Sequence, residues 1–315
     1  MLTSVKCVGA LVAVALVVGA IPTAVQIRSG LGGAAPIRLD VNLVMVPVTV
    51  TDRRGATVNG LARDNFQVFE DKVARPIVSF SDQDAASSIG LVLDTSGSMK
   101  DRLTHAKVAT RAFFRNANAE DEAFWIAVST RPEVQSGFTG DFAALQNSIG
   151  LTRAAGRTAF VDSVYLAIER MRSARNPRKA LVILSDGMDN HSRYTRRELM
   201  TLALEADVQI YTIGILDAPR TKKPIELQDE RNGIFLLDEL SAKTGGINFT
   251  VGSISDIDRV AAKIGAAIRS QYLIGYYPPE TGHGGKWRKI QVKSNVPGVR
   301  LYARTGYFAP PDREN

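Results

Sequence analysis

Hydrophobic and polar positions along the chain fall into three successive regimes. In the first, residues 38–80, they alternate in the manner of strands. Within VNLVMVPVTVTD, Val44, Val46, Val48 and Val50 share one face of a long extended run, while Pro47 on the other face points to an edge or a bulge. Arg53-Arg54-Gly55 makes a turn, and FQVFED and PIVSF supply two more short strands around a turn at Asp71-Lys72. No helical period occurs here. Three or four strands make an incomplete core, so this segment needs partners.

The second regime, from Ile89 to about Ser270, alternates strands with helices. LVLD leads to a helix over 99–117, where Leu103, Ala106, Thr110, Phe113, Phe114 and Ala117 form a mostly apolar stripe. A strand over 123–130, short helices over 142–149 and 160–171, and a strand over 180–186 follow. The series closes with a helix over 196–206, a strand over 208–215, a helix near 235–243, the short strand INFTV and a helix over 257–270. Strands that are apolar on both faces and separated by helices predict a mostly parallel sheet covered on both sides, a doubly wound α/β fold.

In the third regime the chain reverts to strands: QYLIGYY, a Gly-rich turn TGHGG, WRKIQVKS, a turn at Pro297-Gly298, and VRLYARTGYF. Neither strand-rich flank holds enough strands for its own core. The simplest arrangement pairs the two into a small β-sandwich, with the α/β domain inserted between them. The expected organisation is therefore an N-terminal β segment over 37–82, an α/β domain over 86–270 and a C-terminal β segment over 271–310.

Ahead of these lies a targeting segment at 1–30, with Lys6 as a short positive region, an apolar stretch over 8–18 and a small-residue cleavage site at Val18-Gly19-Ala20. An uncleaved membrane anchor over 8–27 is the alternative, because the apolar run approaches the roughly 20 residues that span a bilayer. Pro22 and Thr23 favour cleavage. Both readings place the remainder outside the cytoplasm, secreted or periplasmic. Cys7, the single cysteine, lies inside this segment, so the mature chain has no disulfide, thiol nucleophile or thiolate metal site.

Composition changes this picture little. Of 315 residues, 45% are hydrophobic and 23% charged, as in ordinary globular proteins. The net charge of +7 is spread along the chain. The densest basic run, RMRSARNPRK, interleaves no aromatics and reads as the solvated end of a helix, so nucleic acid is not an expected partner.

Candidate chemistry concentrates where the carboxyl ends of parallel strands gather their loops. Three such loops carry oxygen ligands: Asp94-Thr95-Ser96-Gly97-Ser98, Gly156-Arg157-Thr158 and Ser185-Asp186-Gly187. Asp94, Asp186, Ser96, Ser98 and Thr158 make a set of two carboxylates and three hydroxyls without His or Cys. Such a set suits Mg²⁺, with Mn²⁺ or Ca²⁺ as alternatives, because hard cations take oxygen ligands. Each residue also has a plainer reading: Ser98 with Asp101 as a helix cap, Thr158 as an N-cap, Asp186-Gly187 as a turn. Asp162 reads as a complement to a helix dipole, Asp189 as a solvated rim residue, and His105, His191 and His283 as scattered surface residues.

DTSGS, the downstream Thr158 and the SDG turn resemble the metal-ion-dependent adhesion site (MIDAS) of von Willebrand factor type A domains over about residues 86–270. The flanks VTVTDRRGATVNGLARDNFQVFED, QYLIGYYPPE and ARTGYF, together with ALVILSDGMDNHSRYT, resemble a narrower group, secreted bacterial proteins related to that family. The resemblance implies direct ligation by Ser96, Ser98 and Thr158, with Asp94 and Asp186 direct or linked through water. It also implies a protein-binding role. With no evident base in the motif, the expected partner is a protein presenting a carboxylate, and no catalysis is expected. Asp-Thr-Ser-Gly departs from the Asp-Thr-Gly of aspartic proteases, and Ser96 stands where an aspartyl phosphotransferase needs a second carboxylate. A metal-assisted hydrolase and a structural envelope component with a purely stabilising metal site are the competing readings.

Overall fold

The computed structural model describes residues 43–115, 117–215, 224–252, 254–279 and 284–309. The targeting segment at 1–30, the start of the N-terminal β segment, His283 and part of the TGHGG turn lie outside these residues. Among the described residues, no helix is long and apolar enough to cross a membrane.

Among the described residues, fourteen strands and six α-helices follow in chain order. β1 (Val44–Thr51), β2 (Phe66–Glu70), β3 (Val73–Arg75) and β4 (Ser79–Ser81) come first. The central series is β5 (Ser87–Asp94), α1 (Leu103–Phe114), β6 (Glu122–Val128), β7 (Pro132–Thr139), α2 (Phe142–Leu151), α3 (Phe160–Arg170), β8 (Arg178–Ser185), α4 (Arg196–Glu205), β9 (Gln209–Ile215), α5 (Pro224–Thr244), β10 (Asn248–Val251) and α6 (Ile254–Arg269). β11 (Gln271–Tyr276), β12 (Trp287–Ser294), β13 (Arg300–Ala303) and β14 (Gly306–Phe308) complete the chain.

The central sheet has the order β10-β9-β8-β5-β6-β7, parallel throughout except for the antiparallel edge strand β7. Every residue of β5 is buried, as a strand covered on both faces requires. On one face Ile89, Leu91 and Leu93 join a core with residues of α1, α2 and α6. On the other, Val92 and Phe124 pack with α3, α4 and α5. Gly90 leaves room for that second layer: a Cβ there would stand 2.3 Å from Leu181 Cδ2 and 2.6 Å from Phe124 Cζ.

Outside this domain, the flanking strands interleave. One sheet runs β13-β1-β11-β4 and another β14-β12-β2-β3, each mixing N- and C-terminal strands. Val46, Val48 and Val50 of β1, Tyr272 and Ile274 of β11, and Phe66 and Val68 of β2 share one buried cluster between them. The α/β domain leaves from β4 and returns in β11, and these strands pair with Ser81 opposite Leu273. Two neighbouring strands thus hold both ends of the insertion.

Several expectations need correction. β1 lies inside its sheet rather than at an edge, and Pro47 is tolerated because the ladder to β13 begins only at Val48. The turn at Asp71-Lys72, both at positive φ, leads into β3, which pairs with β2, while only the end of PIVSF enters β4. VRLYARTGYF splits into β13 and β14, in different sheets. α5 starts at Pro224, well before 235, and β7 was not foreseen, its residues being too exposed and mixed to alternate.

Candidate metal centre

β5 delivers Asp94 to its carboxyl end, where the side chain is completely buried. Immediately beyond, the chain makes a short 3-10 turn over Gly97–Met99, and α1 starts only at Leu103. Here Ser96 folds back onto the carboxylate and Ser98 onto Ser96. Ser96 donates to Asp94 Oδ1 from both Oγ (2.6 Å) and its backbone N–H (3.0 Å), and Ser96 Oγ lies 3.0 Å from Ser98 Oγ. The capping role open to Ser98 is not formed, since it sits within the 3-10 turn and α1 is preceded by Arg102.

The second loop is tied to the first by backbone bonds, Gly97 N–H to the Gly156 carbonyl (3.0 Å) and Ala155 N–H to the Thr95 carbonyl (2.8 Å). Thr158 is 2% exposed at its end. Thr158 is not the cap of α3 either: Ala159 holds that position without a side-chain bond, and Asp189 Oδ1 accepts from the N–H groups of Phe160 (2.8 Å) and Val161 (3.3 Å). Asn190 clasps Thr158 from the third loop, its Oδ1 accepting from Thr158 N–H at 3.0 Å while its own N–H donates to the Thr158 carbonyl at 3.0 Å.

The third loop follows β8. Ser185 Oγ donates to Asp94 Oδ2 at 2.6 Å and accepts from Gly187 N–H at 2.9 Å, so one hydroxyl joins the two loops. Asp186 is 1% exposed; Met188 N–H donates to its Oδ1 at 3.0 Å and Arg102 Nη1 to its Oδ2 at 2.8 Å. Gly187 adopts a φ of +73°, the left-handed turn that an SDG sequence accommodates.

The three loops therefore bring all five expected positions to one end of the sheet. Four of them are buried, and of the five Ser98 alone is exposed. Burial, and next the charge of Asp186, push the Asp94 carboxyl up to about 6, against the pull of the Ser185 and Ser96 donors. A buried carboxylate surrounded only by neutral donors, with a second carboxylate in its field, fits a cation as its missing counter-charge. Oxygen donors alone, two carboxylates and three hydroxyls, match a hard dication such as Mg²⁺.

Sequence reading misses several residues that shape this centre. Arg102 lies in a run, Lys100-Asp101-Arg102, that looks like solvated charge, yet it is 6% exposed. Ser185 stood in a recognised loop but carried no mark separating it from a strand terminus. Asp189 and Asp162 are not rim or dipole residues alone: Asp162, 5% exposed, accepts from the N–H groups of Arg193 and Tyr194 at 2.9 Å each and so fastens the third loop to α3. Among the described histidines, His191 is exposed and His105 half-buried.

Residues 89–188 match the family model of the von Willebrand factor type A domain, a span that includes all five positions. Over that span the chain is a von Willebrand factor type A domain. An uncharacterized protein of Borreliella burgdorferi is 24% identical over 192 residues, covering 53% of this chain and 54% of that protein. The chain thus spans about half the length of the curated relative it matches. Among solved structures, a von Willebrand factor type A protein from Catenulispora acidiphila is 12% identical with a TM-score of 0.50, covering 85% of this chain and 74% of that one. Proximal thread matrix protein 1 from the mussel byssus, solved with a zinc-occupied MIDAS motif, is 16% identical with a TM-score of 0.47, covering 63% and 49% of the two chains. At these identities the first likeness speaks for the von Willebrand factor type A fold and for nothing finer.

Proposed function

We propose that the protein is an exported, divalent-cation-dependent protein-binding module of the adhesion type, and not an enzyme. The observation that carries this reading is the unequal treatment of the two buried carboxylates. Asp186 has the Arg102 guanidinium at 2.8 Å, whereas Asp94 is held by hydroxyl and amide donors alone. Asp94, Ser96, Ser98, Thr158 and Asp186 would hold the cation, Mg²⁺ before Mn²⁺ or Ca²⁺. The bound ion would supply a Lewis-acidic position for an outside carboxylate. None of the donors around Asp94 is a base able to activate water, which favours docking over hydrolysis. The apolar amino-terminal segment supports export, with or without retention as an anchor.

The test is a crosslinking pulldown from envelope and secreted material, run with Mg²⁺, with EDTA and with Asp94→Ala. Capture of a partner in Mg²⁺ alone, lost in both other arms, is the expected result. Capture indifferent to metal would refute the proposal, and Asp94-dependent turnover of a phosphoester or peptide would replace it with a hydrolase.

A further inference from the structure

A cavity of about 180 Å³ lies at the opposite end of the central sheet from the metal centre, where the starts of β8 and β9 meet the sandwich. Pro47 and Leu273 face each other across β1 and β11 and line its apolar side. Their neighbours Val46, Val48, Tyr272 and Ile274 point into the sandwich core, so strand alternation turns Pro47 and Leu273 outward to this space.

The charged groups around it are not equally engaged. Arg178 binds Asp84 at 3.3 Å and the Ile268 carbonyl at 3.4 Å, as well as the carbonyls of Gln83 and Arg269. Arg304 binds Asp207 at 3.3 Å and the Met45 carbonyl at 2.9 Å. Both lining carboxylates are thereby matched. Lys179 and Lys243 also line the cavity and have no ion-pair partner among the described residues; Glu205 shares a neighbouring cleft with Lys179 without pairing to it. Two uncompensated ammonium groups beside an apolar wall form a site for an anion with an apolar body.

We propose that this cavity binds a small organic carboxylate, its apolar part against Pro47 and Leu273 and its anion toward Lys179 and Lys243. Size limits the ligand: a cavity of about 150 Å³ accepts benzene, so this one takes a single ring or a short branched chain beside its carboxylate. The site is independent of the metal centre and would hold whether or not the binding-module reading does.

Calorimetric titration of the full chain with benzoate tests it, with isosteric benzamide as the neutral control. EDTA is present throughout and the titration is repeated on Asp94→Asn, so that a carboxylate at the metal centre cannot mimic the result. Benzoate is expected to bind about tenfold or more tightly than benzamide, and the double variant Lys179→Ala/Lys243→Ala to erase that margin. Lys289→Ala, a cation on β12 away from the cavity, is expected to change nothing. Equal affinity for the two probes, a margin that survives the double variant, or no binding of benzoate up to about 10 mM would each overturn the proposal.

Discussion

Arg102 Nη1 donates to Asp186 Oδ2 at 2.8 Å with the two side chains 7% and 1% exposed, so one carboxylate of the candidate metal centre is neutralised by the protein itself. The guanidinium acts in two opposite ways. It stabilises the metal-free fold by pairing a buried charge, and it opposes any cation that enters beside it. Arg102→Gln is therefore expected to lower unfolding free energy by about 3–5 kcal/mol in EDTA, the range for breaking a buried pair. The same variant is expected to bind Mg²⁺ about tenfold more tightly, a change near 1.4 kcal/mol. Denaturant melts and calorimetry read the two effects, and a weaker Mg²⁺ affinity would show that Arg102 helps build the centre instead.

Asp94 predicts a pH dependence whose sign is set by its buried state. Its folded-state carboxyl is raised from 3.8 to about 6, so the folded chain holds this proton more firmly than the unfolded one. Stability from this group is present below about pH 4 and is lost as pH rises through about 6, on the order of 3 kcal/mol in all without metal. Asp94→Asn removes the charge while keeping an acceptor for Ser96. In EDTA its melting temperature relative to the parent is expected to rise between pH 4.5 and pH 7.5. With Mg²⁺ the parent should gain stability by mass action and the variant should not. A pH-independent difference in EDTA would mean that Asp94 carries no such penalty.

How much of this was readable without coordinates depends on the range of the forces involved. The strand leading to Asp94 and the valine face of β1 declare themselves, because burial on both faces or on one imposes a local period. That the five candidate positions gather at one end of the sheet was legible too, since the loops after parallel strands collect there and carry their oxygen side chains in a fixed order along the chain. Arg102 was not: its burial follows from the delay before α1, which depends on Gly97 bonding to Gly156 across 59 residues. The start of α5 at Pro224 was not legible, because the helix runs through Gly233, a residue buried against the Asp186-Gly187 loop that lies far away in sequence. Pro47 points to an edge or a bulge because nothing local reveals that the β13 ladder stops one residue away.

Tyr272 ties the sandwich to its own loop, its hydroxyl accepting from Leu61 N–H at 3.0 Å and donating to the Val58 carbonyl at 2.9 Å. Tyr272→Phe keeps the ring against Phe66 and Phe80 but leaves both backbone groups without this partner. A loss of about 1–3 kcal/mol is expected in denaturant melts, with Mg²⁺ affinity unchanged because the candidate metal centre lies at the carboxyl end of a different sheet. A parallel loss of Mg²⁺ binding would show that the sandwich sets the geometry of the loops.

Gly233 gives the sharpest steric prediction, because here the usual helix rule reverses. In an exposed helix interior, alanine is favoured over glycine by about 1 kcal/mol. In α5, however, a Cβ at residue 233 would stand 2.5 Å from the Asp186 carbonyl oxygen and 2.7 Å from the Gly187 carbonyl carbon. Both are backbone atoms of the third loop, so no side-chain rotation relieves the clash, and helix and loop must separate. Gly233→Ala should thus lose about 1–3 kcal/mol despite its better helix propensity. Because the displaced segment carries Asp186, Mg²⁺ affinity should fall with it. Gly265→Ala in α6 is the control: its Cβ would meet nothing nearer than Arg269 Nη2 at 3.4 Å, the end of a flexible side chain, and stability should hold or rise. Calorimetry on both variants separates the outcomes, and a Gly233→Ala protein that keeps full Mg²⁺ affinity would mean that the packing of α5 does not position Asp186.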